Sequence, residues 1–377
     1  MSFLNVARAP RAASAEVREN RSVTSSGPYP SRPRRRRRRW PWILTACLVV
    51  LVLACAGLTF LFRQTIADLV AANGFSPSSQ LQQLVSATTM TPEATRTFYA
   101  TRPEIDGTQS FNTDCSGTDA RPEGTNLLGC YVVRSAFPVL DDSIYLYPVT
   151  DARLDGVMQV SAAHEMLHAA YARLSPDERA RLQTQLLDEY ARLTAADPAL
   201  AERMNAYQDL DDEQLANELH SILGTEVADL SPALEAYYTR YFTDRHAIVS
   251  LYQGYSSVFT TLTETIAQLQ QQLAELGASI QERSASYTSA LDQLNADIED
   301  FNSRAQTPGA FPSDAQFQDE RQELLDRGAQ LNAERDAINA DVDRFNALKA
   351  QLDALGAESD QLRQDLDSTL APPPSVG

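Results

Sequence analysis

Two histidines with a glutamate between them form the part of the sequence best suited to chemistry. His164 and His168 are four residues apart in a segment whose composition predicts a helix, so both imidazoles lie on one helical face. Two imidazoles in this arrangement can bind one Zn²⁺ ion. Glu165 is next to this pair, where it can accept a proton from a water molecule on the metal and pass it to a leaving amine. The spacing therefore predicts a hydrolytic zinc site with Glu165 as the general base.

The residues in and beside this motif favour a buried helix over a solvated one. Met166, Leu167 and four alanines accompany the two histidines, and none of these side chains carries a charge. A solvated helix whose histidines align by chance would instead carry charged residues over most of its surface. We therefore expect a buried helix that begins at Leu154 or Val157 and ends at Leu174.

The motif resembles that of the zincin metallopeptidases, whose HExxH helix accepts only uncharged residues around and between the two histidines and the glutamate. Residues 161–170 satisfy this pattern. The resemblance implies a catalytic Zn²⁺ ion and the hydrolysis of a protein or peptide substrate. In zincins a strand ahead of this helix offers its edge to the substrate, and residues 143–149 are the matching candidate. Pro148 fits an edge strand, because proline cannot donate a hydrogen bond to a second neighbouring strand.

A catalytic zinc site needs a third protein ligand and one open position. Asn217 and Glu218, on a predicted helix, resemble the Asn-Glu pair that carries the third ligand in the gluzincin branch of the zincins, which implies Glu218 as that ligand. The branch has an aspartate four residues after this glutamate, where the chain has Ile222. His220 and Glu226 remain alternatives. His220 would complete an all-histidine site, and Glu226 would serve as a ligand or as the carboxylate that orients a histidine.

A group that stabilises the oxyanion is harder to identify from the sequence. Tyrosine and histidine side chains on the same or a later helix could donate the hydrogen bond. The candidates are Tyr171, Tyr237, Tyr238, Tyr241 and His246. Tyrosines at helical spacing more often belong to a protein core, and His246 fits an ordinary surface histidine.

Residues 43–62 form an uncharged apolar run that is long enough to cross a membrane as a helix. Trp40 and Trp42 precede it as interfacial anchors. Residues 1–40 carry 11 Arg against 2 acidic residues, which predicts a cytoplasmic N-terminus and an extracytoplasmic remainder. The alternative is a cleaved signal, because residues 54–56 resemble a cleavage site.

The charge of the chain argues against a nucleic-acid partner. The formal net charge is −18, and beyond the basic residues 1–40 it is close to −27. So acidic a surface repels nucleic acid. The six arginines at 34–39 stand directly before the apolar run, which favours a role in membrane topology over binding to nucleic acid or anionic lipid.

The four cysteines divide into two pairs. Cys47 and Cys55 lie inside the apolar run, and Cys115 and Cys130 lie beyond it. An oxidising compartment would join Cys115 to Cys130, whereas as metal ligands they would supply only half of a structural zinc site. We therefore expect a disulfide, in agreement with an extracytoplasmic location.

The C-terminal third has a different pattern. From Val258 to Phe301 apolar residues recur at alternating steps of four and three, which is typical of a coiled coil. Residues 302–313 break the pattern with Pro308 and Gly309, and a second series follows. The break lets the two arms fold back antiparallel, as a hairpin about 65 Å long at 1.5 Å per residue. Such a hairpin would bind a partner, form a homo-oligomer or act as a spacer.

The sequence as a whole predicts a mainly α protein of the α+β class, with a small sheet and a loop at residues 109–129. A rival interpretation is a membrane-anchored scaffold in which the coiled coil is the functional part and the HExxH site is structural or inactive. The predicted parts are a disordered Arg-rich cytoplasmic tail (1–41), a transmembrane helix (43–62), a stem (63–90), a zincin-like metallopeptidase domain (91–256), an antiparallel coiled-coil hairpin (257–370) and a Pro-rich tail (371–377).

Overall fold

The computed structural model describes residues 40–115, 128–207 and 209–368. The two predicted tails lie outside these residues, apart from residues 40 and 41, which begin the first helix. The chain divides into two compact units, one ending at Leu58 and the other beginning at Thr59. The expected class is confirmed, because the described residues are mainly helical and form one three-stranded sheet.

The elements follow one another along the chain, with short 3-10 turns at Ala152–Leu154 and Met204–Tyr207. The strands are β1 (Glu104–Ile105), β2 (Gly129–Ser135) and β3 (Asp141–Leu146). The helices are α1 (Trp40–Leu61), α2 (Arg63–Gly74), α3 (Ser79–Ala87), α4 (Pro92–Ala100), α5 (Thr108–Asp114), α6 (Val157–Ala172), α7 (Pro176–Ala196), α8 (Pro198–Arg203), α9 (Asp212–Thr225), α10 (Pro232–Tyr238), α11 (Arg245–Ala305) and α12 (Asp314–Asp365).

The first helix contains the apolar run. Its segment Trp42–Leu61 is long and apolar enough to cross a membrane, by length and composition. The residues of the predicted stem contain two helices: α2 ends at Gly74, and α3 starts after Ser78, whose side chain accepts a hydrogen bond from the Leu81 amide. A serine N-cap of this kind satisfies an amide that the first helical turn leaves without a partner.

The sheet differs from the expected arrangement. β3 lies in the centre, parallel to β1 and antiparallel to β2, so the prediction that residues 143–149 form an edge strand is wrong. The reason is β1, whose two residues pair with Tyr145 and Leu146 and are too few to leave a pattern in the sequence. Pro148 lies beyond the end of β3 and does not interrupt the pairing. β2 is an edge strand of this sheet, and it packs against α6.

The predicted loop at residues 109–129 is partly helical. α5 begins after Gly107 and buries the ring of Phe111 completely. Cys115 follows this helix and forms a disulfide with Cys130 in β2, as expected. The helix is short, and it is held by one aromatic side chain and one covalent bond, so periodicity alone could not reveal it.

The core is built around α6. This helix packs against α4, α9, α11, β2 and β3, and it begins and ends close to the predicted residues. Its alanines let the neighbouring elements approach, because Ala162, Ala163 and Ala169 are completely buried. Arg173 at its C-terminal end forms ion pairs with Asp68 in α2 and Asp142 in β3, at 3.0 and 2.6 Å. These pairs tie the helix to the segment that follows the apolar run.

The two longest helices, α11 and α12, pack along each other and run antiparallel. Ion pairs across the pair show the direction, since Arg304 binds Glu320 near the tip and Arg283 binds Asp341 farther back. α11 begins at Arg245, inside the predicted catalytic domain, because its first turns bury Ile248 and Val249 against the core. Its 61 residues make it about 90 Å long, longer than the predicted arm, at 1.5 Å per residue.

Candidate metal centre

The side chains of the HExxH motif lie in the buried middle of α6. His164, Glu165 and His168 are 5, 1 and 6% exposed. The two imidazole rings are neighbours on one face of the helix, with their centroids 4.9 Å apart. Three ionisable side chains buried together on one helix are a candidate for a functional site.

The helix α9 supplies a third group to this place. It starts with a capping box in which Asp211 and Gln214 each bind the other's backbone amide. Its C-terminal turn comes very close to α6, because a Cβ atom on Gly224 would lie 2.5 Å from Leu167 Cδ1 and 2.8 Å from Tyr238 Cε1. The glycine therefore allows the close packing that brings Glu218, which is 5% exposed, to the histidines.

His164, His168 and Glu218 form a buried group that could hold a metal ion. One potential ligand atom from each residue lies within 4.8 Å of the other two. The Nε2 atom of His168 and the Oε2 atom of Glu218 are 3.7 Å apart. Two ligands of a tetrahedral zinc ion are separated by about 3.4 Å, so this distance suits a shared metal better than a direct hydrogen bond.

The carboxylate of Glu218 supports this interpretation. Its Oε2 atom is buried and has no hydrogen-bond partner among the described residues. A buried carboxylate oxygen without a hydrogen bond is unfavourable, and a metal ion would satisfy it. The two imidazoles and the carboxylate are also the donor types found in catalytic zinc sites. The residues present therefore fit a bound divalent metal.

Asn217 has a role at this site that the sequence did not reveal. Its Oδ1 atom lies 3.1 Å from Nδ1 of His168. An amide oxygen at this distance accepts a hydrogen bond from the Nδ1–H tautomer and leaves Nε2 free to bind a metal. The sequence shows Asn217 directly before Glu218. It does not show that Asn217 contacts His168, because this contact depends on how α9 packs against α6.

The two rival third ligands lie elsewhere. His220 is completely buried, and its ring is 5.5 Å from those of Tyr171 and Tyr237. Burial, and then the nearby His168, lower the pKa of His220 to about 3. Glu226 is the C-cap residue of α9. Neither of these two residues belongs to the group of His164, His168 and Glu218, which among the described residues could hold a metal ion.

The candidate oxyanion donors mostly surround His220 instead of the histidine pair. Tyr237 Oη is 3.0 Å from His220 Nε2 and 3.2 Å from Tyr241 Oη, and Tyr238 Oη donates to the His220 carbonyl. Burial raises the pKa of Tyr237 and of Tyr238 far above the ordinary value. These tyrosines lie on α10 or directly after it. They pack around His220, which lies on a different face of α9 from Glu218. Tyr171 lies one turn after His168 on α6, and His246 is exposed at the start of α11.

Gly129 brings β2 against Glu165. A Cβ atom at this position would lie 2.8 Å from Glu165 Oε1 and 2.9 Å from its Cγ. The next residue is Cys130, which the disulfide joins to Cys115. The first residues of β2 thus form one wall of the site, and only a glycine leaves space for the glutamate there.

Comparisons with known proteins identify no relative: no protein-family model, curated protein or solved structure matches the chain.

Proposed function

We propose that this protein is a membrane-anchored, extracytoplasmic zinc metallopeptidase. The observation that carries the proposal is the buried group of His164, His168 and Glu218, with Glu165 one residue from the first ligand. Two nitrogen donors and one carboxylate leave one position open in a tetrahedral site, which is the composition of catalytic rather than structural zinc. The metal is proposed as zinc because imidazole and carboxylate donors in this number suit it.

The bound ion would polarise the scissile carbonyl and lower the pKa of a water molecule. Proton transfer and the positioning of the ligands are assigned to residues of the chain. Glu165 takes a proton from the attacking water and delivers it to the departing amine. Asn217 keeps His168 in the tautomer and orientation needed for binding. Gly129 leaves the space that the side chain of Glu165 occupies.

The proposed substrate is an unfolded protein or an extended peptide. β2 is an edge strand of the sheet and passes beside Glu165, so a peptide that adds to this edge would pass near the metal group. The ligands are only 5 or 6% exposed, which leaves a narrow approach. A single extended segment fits such an approach better than a folded protein surface.

The proposed location rests on three features. One apolar helix could span a membrane, and the Cys115–Cys130 disulfide is typical of an oxidising compartment. The arginines before the helix favour a cytoplasmic N-terminus under the positive-inside rule. The metal group would then lie outside the cytoplasm.

A second candidate function is supported by the long paired helices. α11 and α12 contain 61 and 52 residues, and cross-helix ion pairs of Arg283, Arg304 and Arg327 join them. We propose that they form a coiled-coil hairpin. In this alternative the protein is an anchored scaffold, the hairpin binds a protein partner or a second copy, and the metal group has only a structural role.

The substitution Glu165→Gln distinguishes the two functions. The full chain, purified in detergent, would be assayed for bound metal and for cleavage of a mixture of unstructured fluorogenic peptides. For the peptidase, the variant keeps its metal and its kcat falls about 100- to 10,000-fold, the usual contribution of a general base. Glu275→Gln, on the exposed face of α11, is the matched control and keeps full activity. If the wild-type chain binds metal and cleaves no peptide in the mixture, the scaffold is favoured.

A further inference from the structure

The segment that follows the apolar helix is unusually rich in exposed hydrophobic side chains. Phe62, Ile66, Leu69 and Val70 follow each other at helical spacing on one face at the start of α2. All four are exposed, and Val70 is 68% exposed. Burying large apolar side chains is favourable, so a face of this kind requires a partner.

The turn between β2 and β3 extends the same surface. Phe137, at the tip of this turn, is 72% exposed. The turn is fixed to the first residues of α2, because Arg63 Nε donates to the Pro138 carbonyl at 2.6 Å and the Leu140 amide donates to Gln64 Oε1 at 2.8 Å. The turn that carries Phe137 is therefore held at the start of α2.

A cavity joins the two elements. It has a volume of about 530 Å³ and is lined by both α2 and the turn, with Ile66, Val70 and Leu140 as apolar lining residues. The charged lining residues are Arg63, Arg102, Asp68, Asp141 and Asp142. Asp68 and Asp142 are paired with Arg173. Elsewhere in the described chain beyond Phe62, exposed large hydrophobic residues occur only on the long helices. They are Ile298, Leu325 and Val342.

We infer that this surface, formed by the apolar face of α2 and the Phe137 turn, lies in the outer leaflet of the membrane that α1 crosses. The inference rests on the proposed anchor. Continuity is the main argument: Leu61 ends the apolar run, and the surface begins at the next residue. The partner that covers this surface must be apolar and must be present at the C-terminal end of α1. The hydrocarbon layer of the bilayer meets both conditions.

The polar residues of the surface suit the membrane interface. Arg63 lies over the Phe60 ring at 4.4 Å, and its Nη1 donates to the Phe60 carbonyl. An arginine that covers the end of an apolar helix in this way keeps its charge among headgroups while its stem stays in the apolar layer. Arg173 binds Asp68 in α2. The C-terminal end of α6, the helix that carries His164 and His168, therefore also lies near this surface.

Depth-dependent fluorescence quenching tests the inference in the full chain, reconstituted into phosphatidylcholine vesicles with brominated acyl chains. The wild-type tryptophans Trp40 and Trp42 report on the anchor. In a W40F/W42F background, Phe137→Trp and Val70→Trp report on the surface, and Leu325→Trp on α12 is the matched exposed control. Circular dichroism verifies that each variant is folded.

The expected result is that brominated lipid quenches the emission of the Phe137→Trp and Val70→Trp variants. Their emission should also be blue-shifted relative to that of the Leu325→Trp variant, which brominated lipid leaves unchanged. If the wild-type tryptophans are quenched while both surface variants emit as in water, the anchor holds and the docked surface is excluded. Equal quenching of the Leu325→Trp variant would mean unspecific adsorption and would overturn the inference. An unquenched wild-type chain would overturn the anchor itself, and the docked surface with it.

Discussion

The Oδ1 atom of Asn217 lies 3.1 Å from Nδ1 of His168, so the residue before one proposed ligand orients another. Asn217→Ala removes this acceptor and leaves the imidazole free to rotate and to change tautomer. We expect the metal affinity of the full chain to fall about 10- to 100-fold, the usual effect of losing such a partner. Competition with a chelating dye measures it.

Asn217→Asp is the control for this prediction, because a carboxylate oxygen of the same size can accept the same hydrogen bond. It should keep most of the affinity. If Asn217→Ala and the wild-type chain bind the metal equally well, the contact does not orient His168 and the assignment of Asn217 is wrong.

Gly129 provides a test of the position of Glu165. Gly129→Ala places a methyl carbon 2.8 Å from Glu165 Oε1 and 2.9 Å from its Cγ, so the glutamate side chain must move. Displacing a catalytic group by about 1 Å costs on the order of 100-fold in rate. We expect kcat/KM for peptide cleavage to fall by this factor while the metal content stays unchanged. Gly107→Ala, where no atom lies within 4 Å of the new Cβ, should retain the wild-type rate. Loss of metal in Gly129→Ala would show that the variant disturbs the ligands and not Glu165.

Gly224 tests whether close packing of α9 on α6 is needed for the site. In Gly224→Ala the added methyl group meets Leu167 and the Tyr238 ring, and overpacking of this kind usually costs about 1 to 3 kcal/mol of unfolding free energy. We expect a lower urea midpoint together with weaker metal binding, because α9 carries Glu218. Gly356→Ala in α12 has no atom within 4 Å of the new Cβ and should be neutral or stabilising. If Gly224→Ala binds the metal with wild-type affinity, the close packing of α9 on α6 is not needed for metal binding.

The local elements could be predicted from the sequence where a strong pattern marks them. The apolar run of α1 and the motif helix α6 are found close to the expected residues. The pairing of Cys115 with Cys130 is also confirmed. The helices are marked by the pattern of neighbouring residues. The disulfide is marked because Cys115 and Cys130 are the only two cysteines beyond the apolar run.

Relationships between distant segments could not be predicted. β1 has two residues, and its pairing with β3 moves the edge of the sheet to β2. The approach of Gly129 to Glu165 and of Asn217 to His168 joins residues that are 36 and 49 positions apart. No periodicity links them, because such contacts depend on how the helices and the sheet pack.

The disulfide gives a prediction that does not depend on the proposed activity. It joins α5 to the strand whose first residue lies against Glu165, and it closes a loop with a sequence separation of 15 residues. The double substitution Cys115→Ser and Cys130→Ser should lower the unfolding free energy by about 3 kcal/mol, as expected for a loop of this length. Urea unfolding of the full chain in detergent, with and without reductant, measures the effect. The Cys47→Ser and Cys55→Ser pair is the control, because these cysteines are not disulfide-bonded and their loss should leave the response to reductant unchanged. If reductant does not destabilise the wild-type chain, the disulfide contributes nothing to the stability of β2, and the wall beside Glu165 is held by packing alone.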